Sequence, residues 1–586
     1  MLILLNTFKG IAPRIAPHLL PDGAAKIADN CKLASGALRP WNGTVFDNTP
    51  AKAGTKKSIC MYGVPPNHKW LHWIDDVDVV RSPVARDTWG RVYWCGEQDG
   101  VVRYSVQGYI TSGGSLLYPT GYYALGLPAP STPMAVTPEA YSAAATYALD
   151  KIVTYSGAIY KCTTAITVPE AWNAAHWTAV DTTTIEARSY VCTYVTAYGE
   201  EGPPSPASAL VNVAPGQTVA LSGILGAPSG NYNITLKRIY RTLTGTSGTA
   251  FQRVAEIVVA QDTFSDTSAN TELGEVLPSA TWDAPPNGLK GMVNLPNGII
   301  AGFIDNQVCF CEPYLPHAWP VDYRQPAEYP IVAIGAFGNS ILVVTTGTPY
   351  VITGTHPSNM TMDKLEEGYA CTSKRGLVDM GNAVIYPCPL GLMFVGTGSV
   401  RLITGSDNPS DDSKGILTQD EWKTFNPESI NAYQYGGNYV GFYDNGQTQG
   451  GFVFNPSTLD FTLLNVYATA GYHDKGTGAL YLQIGTNIVK WDSDATNPLT
   501  YTYRSRPFLS GRPNNYGVAK VVAEAYPVTF NMYCDGVLQH AQTVANDKPF
   551  RLPSGFLVNY ATEIELTGTA GIKQVLVGET MKELRQ

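Results

Sequence analysis

Charged side chains are scarce in this sequence of 586 residues: Lys, Arg, Asp and Glu together make up 15%. The formal net charge is −9 and the sequence pI is about 5.5. Both values argue against a protein that grips nucleic acid through broad basic surfaces, because binding to phosphates depends on clustered Lys and Arg. They are compatible with a surface past which DNA slides without adhering.

Long apolar runs are also missing. No stretch of 18 consecutive apolar residues occurs, so we expect no membrane span. The N-terminal MLILLNTFKG has no basic residue ahead of its apolar run and no A-x-A-like cleavage site. We therefore expect no signal peptide and a protein that is made in the cytoplasm.

Common catalytic motifs are absent: the sequence has no G-x-S-x-G, H-E-x-x-H or P-loop pattern. A glycosidase needs two carboxylates that face each other across a cleft. Carboxylates cluster at two places, IDDVDVV and SDNPSDDSKG, which contain Asp75, Asp76 and Asp78, and Asp407, Asp411 and Asp412. We interpret the first as an exposed turn of a propeller blade and the second as a solvated loop. We therefore predict no catalytic residues and no cofactor.

The ten cysteines show no spacing typical of a disulfide framework, so buried free thiols are expected. Cys309 and Cys311 stand two apart in VCFCEPYLPHAWP, with Glu312 and His317 following. On a strand both thiols point to one face and Phe310 to the other. A structural zinc site needs four ligands, and no second Cys or His pair has matching spacing. We predict that the two thiols pack in a core and bind no metal.

Glycine (57), proline (41) and tyrosine (35) are abundant, which favours short strands and many turns. Residues 297–313 have the pattern of a hairpin with its turn at Asp305-Asn306. The same pattern recurs from residues 338, 381, 437 and 477, at spacings of 41, 43, 56 and 40 residues. Two further hairpin-like stretches are 68–82 and 90–105. A repeat of about 40–50 residues is typical of β-propeller blades, so we predict a mainly β fold with six or seven blades.

The repeat is interrupted between about 131 and 286, with proline-rich edges at 127–133 and 283–288. This pattern predicts a discontinuous propeller with an inserted region. The predicted divisions are an N-terminal arm with the first blades, a small module, a sandwich, the remaining blades and a C-terminal β-sandwich: 1–130, 134–182, 183–282, 286–500 and 501–586. Helix is rare, and the best candidate is 417–426, where Thr418 could form a capping box with Glu421.

Residues 141–180 resemble small chitin-binding-type carbohydrate-binding modules, which carry two short strands and end in a Pro…Trp pattern. The matching residues are Tyr147, Val153, Tyr155, Gly157, Tyr160, Pro169 and Trp177, whereas Asp150 and Lys151 stand where the first glycine of the pattern is expected. The resemblance implies that Tyr160, Trp172 and Trp177 stack on sugar rings. In the alternative interpretation these aromatic residues form the core of the module, because so small a module needs its apolar side chains for its own core.

Residues 186–268 resemble a fibronectin type III-like sandwich, through the alternating SYVCTYVTAY and a last-strand pattern at 263–266. Such sandwiches serve as spacers, and we find no candidate chemistry in this one.

Residues 8–41, FKGIAPRIAPHLLPDGAAKIADNCKLASGALRPW, resemble tail proteins of short-tailed phages. Together with FCEPYLPHAWP and the propeller hairpins, the stretch is similar to the tail nozzle (tail tubular) family. The resemblance implies a homo-oligomer, expected to be a hexameric ring in the virion tail below a head-to-tail adaptor. It also implies that DNA passes through the lumen without sequence recognition and that tail fibres attach. The alternative is a propeller-based adhesin that binds or cleaves glycans.

Overall fold

The computed structural model describes residues 2–112, 119–245, 248–366, 368–405, 415–555 and 557–585. Strands dominate it. The α-helices are Gln107–Ser112 and Gln419–Thr424, and the second begins with the predicted capping box of Thr418 and Glu421. The 3₁₀ turns are Pro17–Leu19, Ala174–His176, Thr182–Thr184, Asn270–Glu272, Pro296–Gly298, Val321–Tyr323, Pro357–Asn359, Lys374–Gly376, Pro427–Ser429 and Glu583–Arg585.

Antiparallel sheets form a β-propeller, and we number those of the described residues in chain order of their first strands. Sheet 1 has two strands, Ser58–Tyr62 and Lys69–Trp73. Sheet 2 contains Asp78–Arg81, Val92–Cys95, Arg103–Ser105 and Tyr123–Ala124. Sheet 3 contains Lys290–Asn294, Ile300–Ile304, Gln307–Phe310 and Gln325–Pro326. Sheet 4 contains Ile331–Phe337, Ser340–Thr345, Tyr350–Thr353 and Thr361–Lys364.

Sheet 5 contains Val378–Asp379, Ala383–Cys388, Gly391–Gly396 and Ser399–Leu402. Sheet 6 contains Asn431–Tyr435, Asn438–Asp444, Gln449–Phe454 and Phe461–Leu464. Sheet 7 contains Ala470–Asp474, Ala479–Ile484 and Asn487–Asp494, and its outermost strand, Gly43–Asn48, comes from the N-terminal part of the chain. The number of blades depends on whether the two-stranded sheet 1 is counted as a blade. The sequence prediction of six or seven blades therefore stays a prediction.

The sheets succeed one another around an axis, because the first strand of each packs against the next sheet. An apolar cluster joins sheet 1 to sheet 2, through residues such as Leu71, Trp73 and Trp94, and so completes the ring. Sheet 7 meets sheet 1 through Ile59, Trp70 and neighbouring residues. A strand from the start of the chain therefore closes a ring whose last sheet is made near its end.

The repeated hairpins are the second and third strands of sheets 3 to 7, as their spacing predicted. In the first of them Ile304 pairs with Gln307 across the predicted turn, and Asp305 takes a positive φ of 49°. The prediction of a hairpin at 68–82 is wrong. Lys69–Trp73 and Asp78–Arg81 belong to sheets 1 and 2, so the segment between them is a crossover between blades.

The C-terminal residues form two packed sheets, and both include strands from the N-terminus. One sheet continues from sheet 6 through Ala25–Asp29, Tyr501–Ser505, Ala561–Gly568, Val528–Cys534 and Val537–Val544, with Phe508–Leu509 also paired to Ala561–Gly568. The other contains Ile3–Leu5, Ile572–Gly578, Val518–Ala523 and Phe550–Arg551. Cys31–Lys32 and Arg39–Pro40 form a short separate pair. The predicted C-terminal sandwich thus needs residues from both ends of the chain.

The inserted region contains a sandwich and a small three-stranded module. The sandwich strands are Ala135–Pro138, Val219–Ser222 and Phe264–Asp266, then Tyr190–Thr196, Ile234–Gly245 and Gly248–Val258, and finally Glu186–Arg188 and Val211–Val213. The small module contains Ile152–Tyr155, Ala158–Cys162 and Trp177–Ala179. Ala135–Pro138 pairs with Val219–Ser222, so the first strand that we predicted within 134–182 belongs to the sandwich. The small module interrupts the sandwich after this strand.

The sandwich docks on sheets 2 and 3 through a buried polar contact. The Arg91 guanidinium donates to Glu200 of the sandwich at 2.6 Å and to Asp87 at 2.9 Å, and each of the three side chains is at most 10% exposed. Tyr198 packs on Trp89, with ring centroids 4.5 Å apart. The insertion therefore packs against the propeller and is not connected to it by the linkers alone.

His317 lies beside this contact, with its Nδ1 4.0 Å from Glu200 Oε1 and its ring edge-on to Trp282. Burial, together with the charge of Arg91, lowers the pKa of His317 to about 4. Burial acts on Glu200 in the opposite sense and raises the pKa of that carboxyl, although Arg91 counteracts it. Tyr93, Tyr104 and Tyr198 are further titratable groups near Glu200, and burial raises the pKa of all three.

We expect docking of the insertion to weaken between pH 6.5 and pH 5. The docked state keeps His317 neutral, so its contribution is complete above the free value of about 6.5 and is lost as the pH falls towards 4. At pH 5 the loss is about 2 kcal/mol, from 1.36 kcal/mol per pKa unit. Thermal unfolding monitored across this range tests it. His317→Gln should flatten the pH dependence, and His18→Gln, at an exposed position, should not. An unchanged slope in His317→Gln would contradict the assignment.

Candidate functional site: the axial funnel of the propeller

The ends of the first strands of six sheets surround a cavity of about 800 Å³ on the propeller axis. Sheets 1 to 5 and sheet 7 contribute to its wall, through residues such as Arg81, Asn294 and Ala336. Several wall residues, among them Gly291, Ala333 and Gly335, are small, so the surface of the wall lies close to the backbone. A Cβ on Gly291, whose φ is +66°, would lie 2.4 Å from the Phe303 ring, so this position needs glycine. We call this cavity the funnel.

Residues 372–377, the axial segment, lie at the floor of the funnel. Lys374 lies in the connection from sheet 4 to sheet 5, and its Nζ is 2.7 Å from Asp78 Oδ2 and 3.2 Å from Asp76 Oδ1. Asp78 begins sheet 2, on the opposite side of the ring. Asp78 also accepts the backbone N–H of Gly291 in sheet 3 at 2.7 Å. One ammonium group therefore joins sheets across the diameter of the propeller.

The other residues of the axial segment bond to the remaining sides of the ring. Arg375 donates to the carbonyl oxygen of Thr469, directly before sheet 7, at 2.5 Å. Ser373 Oγ donates to the carbonyl oxygen of Ile430, directly before sheet 6, at 2.6 Å. The Tyr439 hydroxyl of sheet 6 donates to the carbonyl oxygen of Gly376 at 2.8 Å. The segment is thus fixed to sheets 2, 6 and 7 as well as to its own sheet 5.

The electrostatics of the floor follow from burial and pairing. Burial alone would lower the pKa of Lys374, but Asp78 and Asp76 outweigh it and raise the value above the usual range. Lys374 therefore remains protonated at physiological pH. Burial raises the pKa of Asp78 and Asp76 adds to the effect, whereas Lys374 and the Gly291 N–H act against it. The interpretation of IDDVDVV as an exposed blade turn is wrong, because Asp76 and Asp78 are partly buried and share Lys374.

The upper wall of the funnel carries equal numbers of acidic and basic groups. Lys475 pairs with Asp379 at 2.9 Å. Burial alone would raise the pKa of the Asp474 carboxyl. Hydrogen bonds from Thr477 and Gly476 outweigh burial and lower this pKa. Burial and Lys475 lower the pKa of His473, whereas Asp474 and Asp379 act against them. Because the charges are balanced, the funnel has no excess of positive charge to attract phosphates.

The cysteine pair lies where the sequence predicted, in the core between blades. Cys309 and Cys311 face sheet 2 and pack near Cys95 and Trp319, whereas Phe310 points to the opposite side, towards sheet 4. Cys311 Sγ accepts the backbone N–H of Ile300 at 3.0 Å. All ten cysteines are buried free thiols. Within the described ranges, no three His, Cys, Asp or Glu side chains lie close enough together to hold a metal ion.

The small module brings together the three aromatic residues that were predicted to stack on sugar. Trp172 stacks on Tyr155 at 3.9 Å and on Trp177 at 5.2 Å, and Tyr160 meets its edge. Trp177 is buried in the core of the module. These contacts favour the core interpretation for Trp172 and Trp177, and the sugar-stacking role stays a prediction. Sequence reasoning did not select Tyr155 as a stacking residue, although its place in the module pattern was recognised.

Asp407, Asp411 and Asp412 lie outside the described residues. Sequence reasoning missed Lys374 and Arg375 entirely, because a lone Lys-Arg pair in a loop gives no signal of its partners. None of the helices in the described part of the chain is long and apolar enough to cross a membrane.

Comparisons with known proteins leave the family open. No family model matches the sequence, and no curated protein matches it. Solved structures show a distant likeness. One is BamB from Moraxella catarrhalis, at 11% identity and a TM-score of 0.25, with 61% of this chain and 96% of that chain covered. Another is apo AztD from Citrobacter koseri, at 12% identity and 0.24, with 63% and 99% covered.

A third is PorZ of Porphyromonas gingivalis, described as a surface component of a type IX secretion system, at 11% identity and a TM-score of 0.25. In that case 92% of this chain and 82% of that chain are covered. TM-scores of this size carry no argument about function. The description of this chain as a β-propeller protein rests on its own sheets.

We expect Lys374→Met to destabilise the propeller by about 3 kcal/mol, because it leaves Asp78 partly buried without its counter-ion. Denaturant unfolding followed by circular dichroism measures the change. The matched control is Lys475→Met, which breaks an exposed pair and should cost less than about 1 kcal/mol. Equal effects of the two substitutions would show that the axial ion pair has no special role.

Proposed function

We propose that this chain is a structural subunit of a short phage tail, a nozzle ring that extends the DNA ejection channel below the head-to-tail adaptor and anchors tail fibres. The observation that supports this proposal best is the position of residues 8–41, the stretch that resembles nozzle proteins. These residues form the junction between the propeller and the C-terminal domain, so their sequence pattern has a structural cause.

Asn30 lies at the centre of this junction. Its N–H donates to the Leu463 carbonyl oxygen of sheet 6 at 2.8 Å, and its side-chain amide donates to the Thr500 carbonyl oxygen at 2.9 Å. Its Oδ1 accepts the Asn465 N–H at 3.2 Å, and its φ of +54° is one that asparagine tolerates well. A single buried side chain thus holds three chain segments together.

Gly10 and Leu38 make the same junction close-packed. A Cβ on Gly10 would lie 2.4 Å from the backbone nitrogen of Phe461, so no larger residue fits beside sheet 6. Leu38 is fully buried and exchanges backbone hydrogen bonds with Ile572. The propeller and the C-terminal domain are therefore joined over a broad contact, which suits a subunit that transmits load within a ring.

The DNA channel of this proposal runs between copies of the chain and not through a propeller. The funnel encloses about 800 Å³ and the axial segment closes its floor. A double helix whose grooves alone are each about 8 Å deep does not fit such a blind space. A conduit for DNA has to be a lumen around which several copies are arranged.

The alternative is an adhesin that binds or cleaves glycans through the small module or the funnel. The half-buried Tyr155 ring favours a sugar platform, because an aromatic face offers apolar area to a pyranose. Glycan-array binding by the isolated protein, lost in Tyr155→Ala, would favour this alternative.

We expect the purified chain to assemble into a closed ring together with the head-to-tail adaptor of its phage. Native mass spectrometry of the chain alone, of the adaptor alone and of their mixture measures the stoichiometry. The proposal predicts a complex with a fixed number of copies, with six expected, and the presence of the chain in purified particles. Absence of the chain from particles, with no complex in the mixture, would sink the proposal.

We also expect the lumen of the assembled ring to be acidic or neutral, because a wall rich in Lys and Arg would hold the phosphate backbone and stall ejection. The net charge of −9 motivates this expectation. A reconstruction of the ring allows the lining residues to be counted. Lys and Arg along the whole length of the wall would contradict it.

A further inference from the structure

Several strand edges in the described part of the chain are protected against pairing with other chains. The outermost strand of sheet 4, Thr361–Lys364, carries Asp363 and Lys364, and that of sheet 5, Ser399–Leu402, carries Arg401. The outermost strand of sheet 6 is covered by Ala25–Asp29. Short edges, charges and coverage are the usual means by which proteins prevent edge-to-edge association.

The outer edges of two strands in the described residues differ from these. The N-terminal edge strand, Gly43–Asn48, closes sheet 7 and pairs on one side only. The C-terminal edge strand, Val537–Val544, is the last strand of the large C-terminal sheet and also pairs on one side only. The exposed part of the N-terminal edge strand is residues 44–46, and the C-terminal edge strand is exposed over most of its eight residues. Backbone N–H and C=O groups in these parts have no ladder partner on the outer side.

Both edge strands expose apolar side chains and no charge. Phe46 is 61% exposed and Val45 is 45% exposed. The single charged residue of that strand, Asp47, is turned towards sheet 1, where it accepts from Trp70 Nε1 at 2.5 Å and contacts His68. The C-terminal edge strand has the sequence VLQHAQTV, without Lys, Arg, Asp, Glu or Pro, and its Val537 is 59% exposed.

We propose that these two free edges are the two halves of one contact, in which the N-terminal edge strand of one copy of this chain pairs with the C-terminal edge strand of the next copy. The inference rests on the proposed function and names the subunit contact of the ring. Because the chain carries a net charge of −9, copies repel one another, and a contact between uncharged edges avoids both that repulsion and a buried unpaired charge.

The two halves lie in different domains, the propeller and the C-terminal domain, so the contact is head-to-tail. A head-to-tail contact between identical chains closes into a ring or continues as a filament, whereas a contact of one edge with itself stops at a two-fold dimer. A ring therefore requires two different surfaces on each copy, which is what the two edges provide.

Exposed apolar residues also lie near the turn that precedes the C-terminal edge strand. Leu509, Leu557 and Tyr560 are 53%, 54% and 76% exposed. They are tied to the turn that precedes the strand, because Asp535 accepts the backbone N–H of Tyr560 and Ser510 donates to the Tyr560 carbonyl oxygen. Stable interfaces bury about 1,200 Å² or more, so a strand pair needs such an adjoining patch.

The test uses the full chain and two substitutions in the middle of the edge strands, Phe46→Lys and Ala541→Lys. Both positions are exposed, so the fold should be unaffected, and lysine on an edge prevents strand pairing. Leu210→Lys, at a 71% exposed position in the inserted sandwich, is the matched control. Thermal unfolding of each variant checks that it is folded.

Native mass spectrometry and light scattering at about 100 μM, where micromolar contacts are occupied, give the readout. Wild type and Leu210→Lys should oligomerise, and each edge variant alone should be monomeric, with an apparent dissociation constant at least about tenfold higher. An equal mixture of the two edge variants should form heterodimers and nothing larger, because one intact contact remains between them.

Three results would overturn the inference: a monomeric wild type at this concentration, an edge variant that oligomerises like wild type, or a mixture that remains monomeric. A dimer formed by one edge variant alone would also overturn it, because it would reveal a two-fold contact. The proposed function is tested separately by the presence of the chain in tails. If purified tails contained both edge variants in rings of normal size, this contact would be refuted. The proposed nozzle role would not be affected by that result.

Discussion

The ion pair of Lys374 with Asp78 and Asp76 is the interaction on which the arrangement of the propeller depends. A ring of sheets is held mainly by contacts between neighbours, so nothing in the repeat itself fixes one side of the ring relative to the other. Lys374 does this across the axis, and Arg375 and Ser373 bond to the segments that begin sheets 7 and 6. Because the ammonium and the carboxylates are partly buried, each would be costly to leave without the other.

The same feature limits what the propeller can do. With its floor closed, the funnel is a blind cavity with balanced charges, suited to structural rigidity and unsuited to passage of a polyanion. The second constraint is the N-terminal segment, which supplies the closing strand of sheet 7, a strand of each C-terminal sheet and the Asn30 junction. Both features join the propeller and the C-terminal domain firmly, with the docked sandwich as a side module, which suits the ring subunit that we propose.

Local features were predictable from the sequence. The Asp305-Asn306 turn, the hairpins of sheets 3 to 7 and the helix capped by Thr418 depend on residues close together in the chain, so alternation and turn chemistry were sufficient. The assignment of 68–82 to one hairpin failed because alternation identifies strands and cannot tell which sheet each strand joins. For the same reason, the sequence prediction placed the first strand of the sandwich within the range of the small module.

The candidate site depends on contacts between distant residues. Lys374 and Asp76 lie 298 positions apart, and neither is marked by a local motif. Asp76 and Asp78 were noticed as a cluster, but their pairing partner comes from the far side of the ring. The closing strand Gly43–Asn48 and its partner in sheet 7 are separated still further. A single sequence contains no signal for such pairings, because many segments satisfy the same alternation.

A cryo-electron microscopy reconstruction of the proposed phage tail with DNA in transit tests the central claim most directly. The account predicts DNA density on a common axis enclosed by several copies of this chain, while each propeller funnel stays free of DNA and closed by Lys374. DNA density inside a funnel, or a tail in which this chain does not surround the DNA, would contradict it.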